Sequence, residues 1–239
     1  MQTLQQIIDA SRRLVFFGGA GVSTESGIPD FRSAKGLFSQ TGDEELTPEM
    51  ILSQSFFYLH PERFYAYYRQ NLLHPNALPN EAHKKLYELE KCGKLRGIVT
   101  QNIDGLHRKA GNRLVYELHG NIYENACMEC GEEYPLSYIM ECEGVPRCFK
   151  CGSVIKPGIV LYGEAPDKYS CMGACREISN CDTLIVAGTS LEVEPAASFL
   201  GYFRGRELVL INREKIRKPK KTTLFIRESI ARVFSEIKL

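Results

Sequence analysis

The stretch GGAGVSTESGIPDFR, from Gly18 to Arg32, indicates the class of fold because it directly follows an apolar strand candidate, RLVFF. A glycine-rich turn after a strand is typical of dinucleotide-binding α/β folds, in which the turn approaches a pyrophosphate. The third glycine of that fingerprint is replaced here by Thr24, and a proline, a carboxylate and an arginine follow. Hydroxyl donors at Ser23, Thr24 and Ser26 and the guanidinium of Arg32 would suit a pyrophosphate.

Strand candidates alternate with helix candidates along the rest of the chain. Short, branched apolar runs end in polar residues or glycine at 95–102, 182–190 and 207–212. Helical spacing lies between them at 81–92, 103–110 and 196–204, and near both ends of the sequence at 4–13 and 227–237. This alternation predicts a Rossmann-like parallel sheet with helices on both faces. Ligands of such sheets bind beyond the carboxyl ends of the strands, so we expect the strand ends to share one crevice.

The overall composition gives no indication of a nucleic-acid or membrane protein. The 239 residues carry a net charge of +1, with 25% charged and 44% hydrophobic residues. No apolar run approaches the ~20 residues that span a bilayer. The nine cysteines are an odd number in a long chain, which argues against a secreted disulfide scaffold. We therefore expect a cytoplasmic protein.

Two cysteine pairs give the strongest chemical signal in the sequence. CMEC places two residues between Cys127 and Cys130, and after 17 residues CFKC repeats the spacing with Cys148 and Cys151. Two such pairs match a tetrahedral zinc site with four thiolate ligands, and a redox dithiol would not require the second pair. Four thiolates leave no open coordination position, so we expect a structural site. The five remaining cysteines are expected to be buried.

Residues 41–73 and 121–156 interrupt the alternation of strands and helices. The first stretch is rich in aromatic residues and has helical spacing, and the second contains the cysteine pairs. We expect a helical insert and a zinc-ribbon insert that together form a smaller domain. The remaining residues, 1–40, 74–120 and 157–239, are expected to form the Rossmann-like, dinucleotide-binding domain.

The run TQNIDGLH brings Gln101, Asn102 and Asp104 to the end of a strand candidate. Amides and a carboxylate placed this closely could bind a carboxamide or a ribose. The alternative, an Asx-turn that caps the next helix, explains the same residues equally well.

A single histidine, His119 in ELHGN, follows the strand candidate LVYEL and precedes the cysteine insert. Histidine has a pKa close to neutrality, and this one is expected where two domains meet. It is the leading candidate for a general base, although a lone histidine is more often structural.

The motifs GAGVSTESGIPDFR, TQNIDGLH, ELHG, the two CxxC pairs, KPGIVLYGE, AGTSLEVEPA and LIN, in this order, closely resemble the sirtuin family of NAD-dependent protein deacylases. The resemblance covers nearly the whole chain. It implies an NAD-dependent protein lysine deacetylase that transfers the acyl group of acyl-lysine to ADP-ribose and releases nicotinamide. The implied partners are acetylated or otherwise acylated proteins, with NAD and structural zinc as the bound groups.

The resemblance also implies roles for individual residues. The catalytic residues would be His119, as the base, and Asn102. The glycine-rich turn and the loop after it would contact NAD through Gly19, Ala20, Gly21, Thr24, Phe31 and Arg32. The nicotinamide pocket would further contain Gln101, Ile103 and Asp104. The adenosine half would contact Gly188, Thr189, Ser190, Asn212, Arg213 and Ser229. The acyl-lysine peptide would lie against Val160, Tyr162, Gly163, Glu164 and Val193.

The resemblance also bears on the acyl group. Relatives that prefer succinyl or malonyl lysine carry a Tyr-x-x-Arg pair in the region of FYAYYRQ. Alignment on Tyr65 places Tyr68 at the position of the arginine, and Arg69 lies one residue away, ~100° around a helix. We therefore expect a preference for neutral acyl groups, acetyl above all.

Three alternatives share parts of this pattern. A nicotinamide dehydrogenase would carry a second strand ending in an acid ~20 residues after the glycines, but LFSQTGDEELTPEM has no strand before its acids. A zinc-ribbon module for nucleic acid would present basic and aromatic knuckles, unlike CMECGEEYP and ECEGVPRCFKCG. Mono-ADP-ribosyl transfer onto protein remains open as another reaction of the same family.

Overall fold

The computed structural model describes residues 3–30, 46–191, 194, 196–214, 216 and 219–239. In chain order, the strands in this part are β1 Leu14–Gly18, β2 Leu95–Thr100, β3 Val115–Glu117, β4 Asn125–Cys127, β5 Glu133–Tyr134, β6 Ile155–Lys156, β7 Thr183–Ala187, β8 Glu207–Ile211 and β9 Thr222–Ile226. Six of them form a parallel sheet in the order β3-β2-β1-β7-β8-β9. The other three form a small antiparallel sheet in the order β5-β4-β6.

The α-helices of the described part are α1 Leu4–Ala10, α2 Pro48–Ile51, α3 Gln54–Leu59, α4 Pro61–Asn71, α5 Glu81–Lys91, α6 Leu106–Lys109, α7 Leu136–Glu141, α8 Lys168–Asn180 and α9 Ile230–Ser235. The segment Ala196–Tyr202 is a 3₁₀-helix, so the expected helix over 196–204 is shorter and more tightly wound. It ends where the amide of Phe203 donates to the carbonyl of Leu200 at 3.1 Å, an i to i−3 bond.

The two central strands of the large sheet, β1 and β7, are buried at every residue because both faces of the sheet are covered. Along β1, Leu14 and Phe16 point into one core with α1, α5 and α9. Val15 and Phe17 point into a second core with α8 and the 3₁₀-helix. Alternate residues of one strand thus enter different cores, as the period of two requires. The predicted Rossmann-like sheet with helices on both faces is confirmed.

A third core joins the two inserts. Phe64 and Tyr65 of α4 pack in one apolar cluster with Ile139 of α7 and Ile155 of β6. The aromatic helices and the cysteine segment therefore share a common interior, as expected for a smaller unit formed by both. The boundaries at 41–73 and 121–156 stay a prediction.

Two glycine turns interlock at the carboxyl edge of the sheet. The amide of Gly21 donates to the carbonyl of Gly188 at 2.9 Å. A Cβ on Gly19 would lie 2.7 Å from that same carbonyl oxygen, and Gly188 has φ of +64°. A side chain at these positions would separate the turn after β1 from the turn after β7. The glycines therefore bring two strand ends together where a ligand is expected.

The expectation that the five cysteines outside the two pairs are buried is wrong for four of them. Only Cys181 is buried, whereas Cys142, Cys171 and Cys175 are half-buried and Cys92 is exposed. Cys171 and Cys175 lie on α8 beside its buried face, which Ala174 and Ile178 form. No helix in the described part of the chain is both long enough and apolar enough to cross a membrane.

Two buried histidines pack against each other beside β1. The rings of His83 and His107 lie 4.7 Å apart, and the His107 ring also contacts Phe16. Both nitrogens of His107 and the Nε2 of His83 are buried without a hydrogen-bond partner among the described residues. Burial lowers the pKa of His83 to about 4 and that of His107 well below its ordinary value, the latter aided by His83.

This pair should make the protein acid-sensitive. The histidines of the unfolded chain bind protons near pH ~6.5, but those of the folded chain do so only at lower pH. The contribution of this pair to the free energy of unfolding is therefore fully present above pH ~6.5 and is lost as the pH decreases. For His83 alone the loss is on the order of 3 kcal/mol once the pH reaches about 4. Thermal unfolding followed with decreasing pH should show a shallower loss for His107→Leu than for the wild type. The exposed His60→Leu serves as control, and equal slopes for all three would contradict the prediction.

Candidate active site

A cavity of about 860 Å³ opens where the carboxyl edge of the large sheet meets the smaller unit. Its lining comes from the turns after β1, β2, β7 and β8 and from the segment 159–164. The residues named from the sequence that line it are Ala20, Gly21, Thr24, Gln101, Asn102, Ile103, His119, Val160, Tyr162, Gly163, Glu164, Gly188, Thr189, Ser190, Asn212 and Arg213. Residues separated by up to 193 positions are thus brought to one crevice.

Three other residues named from the sequence lie behind the cavity. Gly19 packs against the turn at Gly188, Asp104 is bonded to Ser23, and Ser229 is bonded to Glu25. Phe31, Arg32 and Val193 lie outside the described residues.

His119 is held with one ring nitrogen toward the protein. Its Nδ1 lies 2.9 Å from the carbonyl oxygen of Gln101. Because a carbonyl only accepts, Nδ1 carries the proton and Nε2 keeps a free lone pair. Burial lowers the pKa of His119, and the bond to Gln101 opposes this effect in part. A neutral imidazole with a free nitrogen at a cavity wall is suited to remove a proton.

A hydrogen-bonded chain connects the turn after β2 with the turn after β1. The hydroxyl of Ser23 donates to Asp104 Oδ2 at 2.6 Å, and Asn102 Nδ2 donates to Ser23 Oγ at 3.1 Å. Burial raises the pKa of Asp104, while the bonds from Ser23 and from the amide of Leu106 oppose it. The chain orients the Asn102 side chain at the cavity wall. The sequence indicates Ser23 as a hydroxyl donor, and the structure shows that this residue, only 1% exposed, links the two turns.

Asp104 also forms an Asx-turn at the start of α6, so the alternative interpretation of TQNIDGLH is partly right. Its Oδ1 accepts from the amide of Leu106, the first residue of α6, at 2.9 Å. One carboxylate oxygen is therefore used in the Asx-turn and the other is bonded to Ser23.

At the other end of the crevice, Thr189 links two strand ends. Gln101 Nε2 donates to the Thr189 hydroxyl at 3.0 Å, and Asn212 Nδ2 donates to the Thr189 carbonyl at 3.0 Å. These bonds fix the amide side chains that follow β2 and β8 around the turn after β7. The polar groups are thus preorganised on rigid strand ends.

The segment after β6 extends from the His119 turn to the helical insert. The amide of Val160 donates to the His119 carbonyl at 2.9 Å, and the amide of Tyr162 donates to the Leu52 carbonyl at 3.0 Å. Within the segment, Lys156 pairs with Glu164 at 3.0 Å. The charge of Glu164 is therefore compensated by a lysine of the same segment, although Glu164 also lines the cavity.

One part of the cavity is apolar, and the sequence did not identify it. Its lining side chains are Leu52, Leu72, Ile103, Ile159 and Leu161. They come from both units, so only the folded chain brings them together.

Neither Tyr68 nor Arg69 lines the cavity. Tyr68 is fully buried in the core of the smaller unit, and Arg69 donates to the carbonyls of Ile139 at 2.8 Å and Gly144 at 2.7 Å. The cation adjacent to the Tyr-x-x-Arg position therefore holds α7 and the loop after it. Among the described residues, the lining of the apolar part contains no cation.

The four paired cysteines converge as the sequence predicts. Their sulfur atoms all lie within 4.8 Å of one another, with Cys127–Cys151 at 3.4 Å and Cys130–Cys148 at 3.5 Å. Tetrahedral zinc with Zn–S bonds of ~2.3 Å places its sulfurs roughly 3.8 Å apart. The cluster is consistent with zinc and offers four thiolates with no further ligand, which suits a structural site.

Comparison with known proteins agrees with this geometry. The model of the Sir2 family matches residues 19–195. NAD-dependent protein deacetylases of Clostridium perfringens and Clostridium acetobutylicum are 51% and 47% identical, each over 98% of this chain and 96% of the relative. A Sir2 protein solved with a p53 peptide and NAD+ superposes with a TM-score of 0.85 at 34% identity, covering 98% of this chain and 96% of that one. Another, solved with a deacetylated p53 peptide and 3'-O-acetyl ADP ribose, gives a TM-score of 0.89 at 34% identity, covering 97% and 94%.

The agreement extends over nearly the full length of both chains and includes the fold. The chain therefore belongs to the Sir2 family, and it is an NAD-dependent protein deacetylase.

Proposed function

We propose that this cavity transfers the acyl group of an acyl-lysine to ADP-ribose, with His119 as the general base. The observation that carries the proposal is the fixed tautomer of His119, whose Nε2 is free beside Asn102 and the segment 159–164. NAD, when bound, supplies an electrophilic ribose carbon and nicotinamide as the leaving group. With one water consumed, the products would be the free lysine, nicotinamide and O-acyl-ADP-ribose.

Binding residues are proposed from their places in the crevice. The turn from Gly19 through Thr24 would hold the pyrophosphate, because its backbone lies at the carboxyl edge of the sheet. Asn102, oriented by Ser23, would lie with Gln101, Ile103 and Asp104 near the nicotinamide. The adenosine half would lie toward the remaining cofactor residues, Gly188, Thr189, Ser190, Asn212, Arg213 and Ser229. For Phe31 and Arg32 the roles in NAD binding stay predictions.

The peptide would pass beside Val160, Tyr162, Gly163 and Glu164, with Val193 kept as a prediction. This segment is bonded to both units, through the carbonyls of His119 and Leu52. The acylated lysine would then extend toward His119, and the acyl group would meet the apolar part of the cavity. His119 Nε2 would take a proton from a ribose hydroxyl after nicotinamide has left, so that the sugar oxygen can attack the acyl carbon.

The direct test is incubation of the protein with NAD and an acetyl-lysine peptide, followed by mass spectrometry of the peptide and of the protein. We expect loss of the acetyl mass from the peptide only when NAD is present. A mass increase of one ADP-ribose on the protein or the peptide, without deacetylation, would instead favour mono-ADP-ribosyl transfer. The absence of both mass changes would refute the proposal.

Acyl selectivity should follow the apolar lining. An acetyl peptide should be turned over with a higher kcat/KM than a succinyl peptide, because a buried carboxylate without a cation costs on the order of several kcal/mol. Rates for matched acetyl and succinyl peptides measure the ratio. Arg69→Gln should leave it unchanged, since Arg69 contacts carbonyls of the smaller unit. Equal turnover of succinyl-lysine, or a ratio altered by Arg69→Gln, would contradict the prediction.

Acylated lysine proteins are the proposed substrates and a reducing, cytoplasmic compartment the proposed location. All nine cysteines are free thiols, and four of them form the cluster consistent with zinc. Thiolate ligands persist where disulfides do not form, which supports that location. We further propose that the metal stabilises the smaller unit and takes no part in the reaction.

A further inference from the structure

The carboxylate of Glu25 connects three segments of the chain. Glu25 lies in the short turn Thr24–Ser26, directly after the glycine-rich turn. Its Oε1 accepts from the hydroxyl of Ser229 and from Arg213 Nη2, the latter at 3.1 Å, and its Oε2 accepts from the amide of Ala231 at 2.8 Å. One side chain thus holds the turn after β1, the turn after β8 and the start of α9.

Each of these segments contributes to the cavity wall, but Glu25 does not. Thr24, Arg213 and Ile230 line the cavity. Thr24 precedes Glu25 in the chain, Arg213 is bonded to Glu25, and Ile230 lies between two residues that are bonded to Glu25. The side chain of Glu25 is 27% exposed, and that of Arg213 is 58% exposed. The carboxylate therefore lies behind the wall and fixes the separation of the groups that form it.

We propose that Glu25 is a positioning residue for the adenosine end of NAD. This inference rests on the proposed function, since it places the adenosine half near Asn212 and Arg213. Without the carboxylate, Arg213 loses its charged partner. The hydroxyl of Ser229 and the amide of Ala231, at the start of α9, lose the group that accepts their hydrogen bonds. The three segments must then be ordered when NAD binds, which weakens binding. His119 and Asn102, at the reacting end, lie on other turns. The bond from Asn102 to Ser23 should be retained, because Ser23 is also fixed by its bond to Asp104.

Glu25→Ala should therefore raise the KM for NAD by about 10-fold to 100-fold, the size expected from the loss of hydrogen bonds to a charged group. The KM for the acetyl peptide and kcat at saturating NAD should change little. Direct binding of ADP-ribose should weaken by the same factor. Glu25→Gln keeps one acceptor oxygen, so its effect should be smaller, and it serves if the alanine variant does not fold.

Two further variants separate positioning from general destabilisation. Glu236→Gln removes an exposed carboxylate of the same helix region that pairs only loosely with Arg232, at 3.6 Å, and should leave the KM for NAD unchanged. Ser229→Ala combined with Glu25→Ala should raise the KM for NAD by less than the product of the single effects, because the two side chains act through one bond.

Unchanged ADP-ribose affinity in a folded Glu25→Ala variant would overturn the proposal, as would an equal rise in the KM for the peptide. A wild-type protein that binds ADP-ribose but does not deacetylate would refute the proposed function alone. The Glu25 proposal would then be decided by ADP-ribose binding.

A separate observation concerns the cysteine cluster. The hydroxyl of Tyr134, a residue only 7% exposed, donates to Cys148 Sγ at 3.2 Å and accepts from the amide of Phe149 at 2.8 Å. The amide of Lys150 also donates to Cys148 Sγ, at 3.3 Å. We infer that Tyr134 holds Cys148 in the orientation of a thiolate ligand and so slows loss of the metal.

The matched control is a tyrosine of the same ring cluster. Tyr138 packs 4.9 Å from Tyr134, but its hydroxyl donates to the carbonyl of Arg147 at 2.7 Å and not to a cysteine of the four-cysteine cluster. Tyr134→Phe should release zinc to a chromophoric chelator about 10-fold to 100-fold faster than the wild type. Tyr138→Phe should release it at the wild-type rate. Equal release from Tyr134→Phe and the wild type, or equal acceleration in both variants, would overturn the inference.

Discussion

Replacement of His119 by alanine should reduce deacetylation by at least ~10²-fold, the effect typical of losing a positioned general base. Exchange of labelled nicotinamide into NAD should suffer less, because that partial reaction reverses the first step and needs no base. The fold and the metal should be retained, since His119 forms one side-chain hydrogen bond within the described part of the chain, to the Gln101 carbonyl. The rates of deacetylation and of nicotinamide exchange, measured on the same variant, test this prediction.

His60→Ala is the matched control. This histidine is exposed, contacts Phe56 and does not line the cavity, so both rates should equal those of the wild type. Near-normal deacetylation by His119→Ala would remove the residue from the mechanism. Loss of both rates together with the folded signal would show that it serves packing at the junction of the two units.

Replacement of Cys148 by serine should lower bound zinc and thermal stability together. The ligand is buried in the smaller unit, and metal affinity is folding free energy in such modules. Structural zinc contributes on the order of 10 kcal/mol in isolated modules, so the loss should be large. Metal content by mass spectrometry and the Tm of the same sample are the two measurements.

Cys142→Ser is the control that tests whether the loss of any thiol in the cysteine insert lowers zinc content and Tm. Cys142 is half-buried and lies outside the four-cysteine cluster, so this variant should keep zinc and Tm. A Cys148→Ser protein that lost its zinc and kept both stability and activity would contradict the structural role.

Local pattern was sufficient for much of the fold. The apolar runs of β1, β2, β7 and β8 predict buried strands because both faces of the sheet are covered, and glycine and polar residues mark the strand ends. The edge strand β9, TTLFI, was missed because it is half-buried on both faces. Helix α8 was missed because KYSCMGACREISN contains glycine and serine, which are weak helix formers.

In the candidate site, too, some features follow from local sequence pattern and others do not. Spacing alone identifies the four cysteines, because zinc imposes that spacing on the chain. The contacts of Arg69 with the carbonyls of Ile139 and Gly144, and of Glu25 with α9, depend on residues up to 206 positions apart. Such pairings have no local signature. They follow only from the packing of the two units, which also forms the apolar part of the cavity.

The most direct test of acyl transfer to ADP-ribose is the fate of the acetyl group. A peptide with an isotopically labelled acetyl-lysine is incubated with the protein and NAD, and the label is counted in each product. The expected result is one labelled O-acetyl-ADP-ribose and one nicotinamide for each lysine freed. Label recovered from the first turnovers as free acetate, or lysine freed without consumption of NAD, would contradict the mechanism.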